Sequence, residues 1–112
     1  MYTKSIIQQT VEAIRAKENF RSAIEQLLEK YNIEDSVFVL KNGFMHEVVE
    51  GYFVTENEHE SLDEAMSNCD INTMGIRVIG NKFQTGKIYN RLSECADSNK
   101  KVFDLKRLGD VR

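Results

Sequence analysis

The sequence contains no proline, and only two of its 112 residues are cysteines. Without proline, the chain has neither a proline-rich linker nor a polyproline docking segment. Two cysteines are too few for the dense disulfide framework of small secreted domains. We therefore predict that Cys69 and Cys95 are structural thiols in a reducing compartment, with a redox pair or a metal half-site as the alternative.

Long hydrophobic runs are also missing. The longest uncharged apolar stretch covers residues 37–40, whereas a membrane-spanning helix needs about 20 residues. Residues 1–9 turn polar after two isoleucines and lack the apolar core of a signal peptide. We expect a protein that neither crosses a membrane nor is secreted by that route, and we place it in the cytoplasm.

The composition is that of an ordinary globular domain, with 41% hydrophobic and 29% charged residues. The chain has no internal repeat, low-complexity tract or linker. We expect one compact domain over residues 1–112, with a C-terminal tail that is mobile from about residue 107.

The first third of the sequence predicts a long helix. Ser5 and Gln8 match a capping box, and apolar residues then recur at steps of three and four. The spacing of these apolar residues shifts between Ile14 and Phe20. A single helix, straight or kinked at this point, fits the pattern, and two separate helices remain an alternative. We favour a single helix because no glycine or proline interrupts residues 5–31.

The next segment predicts a β-hairpin. β-branched and aromatic residues 37–40 precede Asn42-Gly43, a pair suited to a two-residue turn, and the return arm is expected over residues 44–54. Residues 55–60 break the pattern and predict a loop. Ser61 and Glu64 form a second capping box, which predicts a helix of about two turns.

The remaining third predicts a strand over residues 74–79 and then a helix capped by Thr85, with Ile88, Leu92 and Cys95 on its apolar face. Residues 101–105 fit either a short strand or a frayed helix. The expected fold is a two-layer α+β domain. It has a small antiparallel or mixed sheet of three or four strands, with the long, short and C-terminal helices on one face.

Charge is distributed unevenly along the chain. Residues 34–70 contain ten acidic residues and one basic residue, a net charge of −9, whereas residues 71–112 contain nine basic and four acidic residues, a net charge of +5. If the fold keeps these populations apart, each creates a surface that attracts partners of the opposite sign.

Motifs for catalysis and cofactor binding are missing or incomplete. Residues 80–87 resemble a phosphate-binding loop, but five residues separate the glycines instead of four, and Ile88 replaces the required hydroxyl. A turn between a strand and a helix is the preferred interpretation. His46 and His59 have no ligand partner at zinc spacing. We predict no metal site, no cofactor and no catalytic residue, and an enzyme is the less favoured class.

The leading hypothesis is a non-enzymatic regulatory or adaptor protein that binds a protein partner through an acidic hairpin-and-loop face. It could act as an inhibitor or as a mimic of nucleic acid on a basic, nucleic-acid-binding target, and self-association stays open. The residues predicted to bind the partner are Glu47, Glu50, Glu56, Glu58, Glu60, Asp63 and Glu64.

The alternative hypothesis is a nucleic-acid-binding domain that uses the basic C-terminal part. Its candidate residues are Arg77, Lys82, Lys87, Arg91, Lys100, Lys101, Lys106 and Arg107. Cations next to aromatic side chains, here Phe83, Tyr89 and Phe103, are typical of single-strand binders. The isoelectric point of about 5.4 argues against this class.

Overall fold

The fold is α+β, as the sequence predicts. It is described in a computed structural model for residues 6–70, 74–95, 101–106 and 109–110. The elements in chain order are helix α1 (Ile6–Lys30), strands β1 (Asp35–Lys41), β2 (Phe44–Glu47) and β3 (Tyr52–His59), helix α2 (Leu62–Ser67), strands β4 (Met74–Ile79) and β5 (Lys82–Tyr89), a 3₁₀ turn (Leu92–Cys95), and strands β6 (Val102–Asp104) and β7 (Gly109–Asp110).

The strands form one sheet in the order β2-β1-β4-β5-β3-β6-β7, and every neighbouring pair is antiparallel. The prediction of three or four strands was therefore too low. Two segments account for most of the difference, because the expected return arm divides into β2 and β3, and the first part of the expected C-terminal helix belongs to strand β5. Residues 101–105, which fitted either a strand or a helix, contain strand β6.

Helix α1 is one helix of 25 residues, which confirms the long N-terminal helix and excludes a second one in this segment. Among its described side chains, Phe20 and Ile24 are buried and Ile14 is 53% exposed. From Phe20 onward, α1 therefore packs its apolar residues against the sheet.

The hairpin between β1 and β2 forms at the predicted turn. Asn42 and Gly43 have φ angles of 55° and 80°, as this two-residue turn requires, and Lys41 is paired with Phe44. The return arm, however, leaves the hairpin after Glu47. The chain then crosses the sheet, and β3 pairs with β5 and β6.

Two further predictions were wrong. Residues 55–60 are not a loop, because β3 continues to His59 and pairs with β5, with a bulge between Thr55 and Asn57. The helix predicted to begin after Thr85 is not formed, because strand β5 continues to Tyr89 and pairs with strands on both sides, and only a 3₁₀ turn, Leu92–Cys95, follows in the rest of that segment. Backbone pairing with two neighbouring strands outweighs a helical spacing that rests on only three apolar residues.

The segment that resembled a phosphate loop, residues 80–87, is therefore a tight turn at residues 80–81 followed by strand β5, rather than a turn between a strand and a helix. Its first glycine, Gly80, lies in the turn with a φ angle of 58°, and Lys82 begins β5. Helix α2, in contrast, begins as predicted, because the Ser61 hydroxyl accepts a hydrogen bond from the Glu64 amide at 3.2 Å.

The two faces of the sheet carry separate cores. Ile76 and Val78 of β4 face the helices and pack with Phe20 and Ile24 of α1. On the opposite face, Val37, Phe53, Phe103 and Leu105 form a second buried cluster. Of the C-terminal tail, Gly109–Asp110 pair with β6 as β7, and the rest, on which the prediction of a mobile tail depends, lies outside the described residues.

Candidate functional site

The sheet face opposite the helices carries a polar network that begins at Arg77. This side chain is buried, with 4% of its surface exposed. It donates two hydrogen bonds to the Asp35 carboxylate, at 2.9 and 2.7 Å, and a third to the Gln84 amide oxygen at 3.2 Å. The guanidinium also lies over the Phe103 ring. Arg77 is thus held from three directions.

The network continues from Gln84 across β5 to β3. The Gln84 amide nitrogen donates to Glu58 at 2.9 Å, and Lys82 donates to the same carboxylate at 3.2 Å. The Thr55 hydroxyl donates to Gln84 at 3.1 Å. The hydrogen bond from Gln84, followed by that from Lys82, lowers the pKa of Glu58, and the same contact with Glu58 raises the pKa of Lys82.

Strand register explains why these residues meet. Gln84 lies directly opposite Arg77 on one neighbouring strand and opposite Glu58 on the other. In the described part of the chain, every buried side-chain nitrogen and oxygen has a hydrogen-bond partner. The network therefore presents no unsatisfied buried group to a ligand, and we assign it a structural role.

Sequence analysis did not predict this network. Its only local signal is that Arg77 lies between Ile76 and Val78 in a predicted strand, which places a charge on the face opposite two core residues. The partner Asp35 is 42 residues away in the sequence. The contact therefore depends on the pairing of β1 with β4.

The acidic residues predicted to bind a partner divide into two groups. Glu47 and Glu50 lie before β3, whereas the others lie in the second half of β3 and around the start of α2. In the strand order, β1, β4 and β5 lie between β2, which carries Glu47, and β3, which carries Glu56 and Glu58. The hairpin and the loop therefore do not form one small patch. The second group is Glu56, Glu58, Glu60, Asp63 and Glu64.

Opposite charges meet in this second group. Asp63 forms a salt bridge with Arg21 of α1, and this contact, together with the charge of Glu25, raises the pKa of Arg21. Glu58 is paired with Lys82, as described above. Charges that are sorted along the sequence are thus partly interleaved in space.

The basic residues of the alternative hypothesis are also dispersed. Arg77 is buried, and Lys82 is paired with Glu58. Lys87, Arg91, Lys101 and Lys106 are exposed, while Lys100 and Arg107 lie outside the described residues. Of the accompanying aromatic residues, Phe103 is in the core, and Phe83 and Tyr89 pack against buried clusters.

The hairpin presents a different kind of surface. β2 is the outermost strand of the sheet, and among the described residues no strand pairs with its outer edge. Phe44 at its start is 71% exposed, and Val49 just beyond its end is 68% exposed. The Glu47 carboxylate accepts a hydrogen bond from Ser36 at 3.1 Å. The acidic hairpin group therefore flanks an apolar strand edge.

Histidine and cysteine do not form a metal site. His46 is exposed on β2, and the His59 Nε2 atom lies 3.5 Å from the Thr85 hydroxyl. Cys69 and Cys95 are free and buried, as predicted for structural thiols, and burial raises the pKa of Cys69 to about 11. Within the described ranges, no cluster of three or more His, Cys, Asp or Glu residues could hold a metal ion.

Comparison of the whole chain with protein families, with curated proteins and with solved structures returns no match. No helix in the described part of the chain combines the length and the hydropathy that a bilayer span requires. Inferences about function therefore depend on the surfaces and contacts of the chain itself.

Proposed function

We propose that this protein is a non-enzymatic adaptor or regulatory protein that binds an extended segment of a partner protein along the outer edge of β2. The observation that carries the proposal is the combination of an unpaired strand edge with the exposed side chain of Phe44. Addition of a strand to such an edge is a common mode of peptide recognition.

Hairpin geometry supplies the hydrogen bonds. In a two-residue hairpin the pair next to the turn, here Lys41 and Phe44, is hydrogen-bonded, and bonded pairs then alternate along the strands. The Val48 amide donates to the Val37 carbonyl at 2.8 Å, which agrees with this alternation: Phe44, His46 and Val48 are the positions bonded to β1. The amides of Met45 and Glu47 consequently point outward, where a partner strand can accept from them.

Side chains supply the specificity. Phe44 offers an aromatic contact that no described part of the chain covers. Glu47 and Glu50 place two carboxylates at the other end of the edge, so a segment with a basic residue there is preferred. β2 has only four residues, and short edge strands resist aggregation through their exposed edges. This length is therefore compatible with a short, specific contact with one partner segment.

The experiment distinguishes the contribution of the backbone amides of β2 to partner binding from the contribution of the Glu47 charge. A photoreactive residue replaces Phe44, and crosslinked partners are recovered from a native extract. We expect Glu47→Pro, which removes an outward amide, to abolish crosslinking, and Glu47→Gln, which removes only the charge, to reduce it about threefold to tenfold. Nuclease treatment should leave the crosslinks unchanged.

The matched control is Glu60→Gln with Glu64→Gln, which removes two charges from the other acidic group. Crosslinking that survives Glu47→Pro, or that falls further with the control than with the hairpin variants, would refute the β2 edge as the binding surface. Loss of the crosslinks with nuclease would favour the nucleic-acid alternative through Lys87, Arg91, Lys101 and Lys106.

A further inference from the structure

A hollow beside Gly51 has a volume of about 420 Å³, and we call it the Gly51 hollow. It is bordered by Tyr52, the first residue of β3, by Asp104, the last residue of β6, and by Leu92, which begins the 3₁₀ turn. The other residues that line it are Glu50, Gly51, Asn90 and Lys106. Its volume falls within the range of small-molecule sites.

Strand register places the side chains of Tyr52 and Asp104 next to each other on one face of the sheet. The two residues lie directly opposite each other in the pairing of β3 with β6. The Leu105 amide donates to the Gly51 carbonyl at 3.0 Å, so the adjacent pair, Tyr52 with Asp104, is a non-hydrogen-bonded pair. Side chains approach most closely in pairs of this kind. The aromatic ring and the carboxylate therefore form one wall of the hollow.

The protein holds both side chains of this wall in place. Asp104 is buried, with 7% of its surface exposed, and its Oδ1 atom accepts a hydrogen bond from the Lys106 amide at 3.1 Å. Tyr52 is half-buried and packs against the cluster that contains Val54 and Val102. A carboxylate accepts about four hydrogen bonds in all, so Asp104 can also accept from a ligand hydroxyl. A wall that is ordered before binding reduces the entropy that binding costs.

The exposed polar side chains around this wall supply both donors and acceptors. Asn90 has an amide that donates and accepts, Lys106 has an ammonium group that only donates, and Glu50 has a carboxylate that only accepts. A ligand in the hollow therefore meets hydrogen-bonding groups of both kinds beside an aromatic ring.

We propose that the Gly51 hollow binds a neutral hexose. Each sugar hydroxyl both donates and accepts, so it can use the carboxylates and the ammonium group alike. An anionic ligand meets the carboxylates of Glu50 and Asp104 at close range, and a cationic ligand meets Lys106, whereas a neutral polyol avoids both conflicts. The C–H groups of the sugar ring pack on Tyr52, because the face of an aromatic ring carries partial negative charge.

Two other hollows lack this combination. The groove between α1 and α2 has a volume of about 630 Å³, and none of the described residues that line it is aromatic. The pocket of about 360 Å³ between the start of β1 and β6 includes Phe103, but this ring is buried and lies against the Arg77 guanidinium. Neither therefore offers an accessible aromatic ring beside donors and acceptors.

The test is a titration of the isotopically labelled full-length protein with D-glucose, D-galactose and D-mannose, followed by amide chemical shifts. We expect saturable shifts centred on Tyr52 and Asp104 with at least one hexose. Cyclohexanol lacks the array of hydroxyls, and putrescine carries two positive charges and no hydroxyl, so both should bind at least about tenfold more weakly. Absence of saturable shifts with all three hexoses would overturn the proposal, as would equal binding of cyclohexanol or putrescine.

Variants of exposed residues test the polar contacts without disturbing the core. Asn90→Ala and Lys106→Met should each weaken binding of the preferred hexose about threefold to tenfold. The matched controls Asn57→Ala and Lys41→Met change exposed residues of the same types outside the hollow and should leave binding unchanged. Unchanged affinity in both Asn90→Ala and Lys106→Met would overturn the proposal.

A second pair of variants tests the contact with the ring. Tyr52→Phe keeps the ring and should bind the hexose at least about threefold more tightly than Tyr52→Leu, which keeps only apolar bulk. Equal affinity of these two variants would contradict the packing of the sugar on Tyr52. Phe44→Ser, which removes the aromatic contact of the β2 edge, should leave hexose binding unchanged, so failure of the partner-binding proposal and failure of this one are distinguishable.

Discussion

The Cζ atom of Arg77 lies 3.9 Å from the centre of the Phe103 ring, although β5 and β3 separate the strands that carry these residues. Three strand spacings in a flat sheet amount to about 14 Å. The sheet must therefore curl, and the cation and the ring meet inside the curl. This contact connects the polar network with the second core, so Arg77 is expected to hold the two ends of the sheet in place.

Removal of the guanidinium should show this role. We expect Arg77→Met to lower the free energy of unfolding by about 3 kcal/mol, because it leaves the Asp35 carboxylate without its charged partner. Urea denaturation measures the loss. In the double variant Arg77→Met with Asp35→Asn, the Asp35→Asn substitution should lower the free energy of unfolding by much less than it does when Arg77 is present. Additive losses would contradict a direct coupling between the two side chains.

Glycine is required where the core ring meets the backbone. Gly75 and Gly86 are paired across β4 and β5. A Cβ atom at position 86 would lie 2.7 Å from Cζ of Phe53 and in steric conflict with the carbonyl oxygen of Val54. We expect Gly86→Ala to lower the free energy of unfolding by about 3 kcal/mol, because the carbonyl cannot move without breaking the pairing of β3 and β5.

Gly75→Ala is the matched comparison for Gly86→Ala. The nearest atom to a Cβ there is Cδ1 of Ile88, at 3.0 Å, which belongs to a side chain that can rotate. A loss of about 1 kcal/mol is expected in the same urea measurements. If Gly75→Ala proved the more damaging of the two, the description of the packing around Phe53 would be wrong.

Sequence analysis predicted those elements whose signals are local. The capping residue Ser61, the turn at Asn42-Gly43 and the apolar positions Phe20 and Ile24 each act within a few residues, and the corresponding helices and hairpin are present. Strand β5 was missed because its stability comes from neighbours on both sides rather than from its own pattern.

The candidate surfaces were less predictable than the elements. Glu58 and Lys82 are 24 residues apart and were assigned to opposite surfaces, yet strand pairing brings them together. The exposure of Phe44 depends on which strand occupies the edge of the sheet. Edge position is set by the order of strands, which no short pattern in the sequence encodes.

The pKa of Glu58 predicts a dependence of stability on pH. Hydrogen bonds from Gln84 and Lys82 hold this pKa below its ordinary value of 4.5. The carboxylate therefore stabilises the folded chain fully above pH 4.5, and the contribution is lost as the pH falls through the lowered pKa. We expect the urea midpoint of Glu58→Gln to lie below that of the unmodified protein at pH 7 and to approach it below pH 4.5.

Glu60→Gln, which removes a carboxylate just beyond the end of the same strand, is the control for Glu58→Gln. It should not reproduce the convergence of the two midpoints at low pH. A difference between Glu58→Gln and the unmodified protein that stayed constant from pH 7 to pH 3 would show that the effect of the substitution is not linked to protonation of Glu58.

The two cysteines should resist thiol reagents in the folded protein. Burial raises the pKa of Cys69 to about 11, so the reactive thiolate is scarce at pH 8, and Cys95 is the buried last residue of the 3₁₀ turn. We expect both to react with a thiol reagent only at the rate of global unfolding, and to react rapidly in urea. A cysteine introduced at the exposed position Ser93 should be modified at once and serves as the reference. Modification of Cys69 at the Ser93→Cys rate under native conditions would mean that the core beside α2 opens independently of global unfolding.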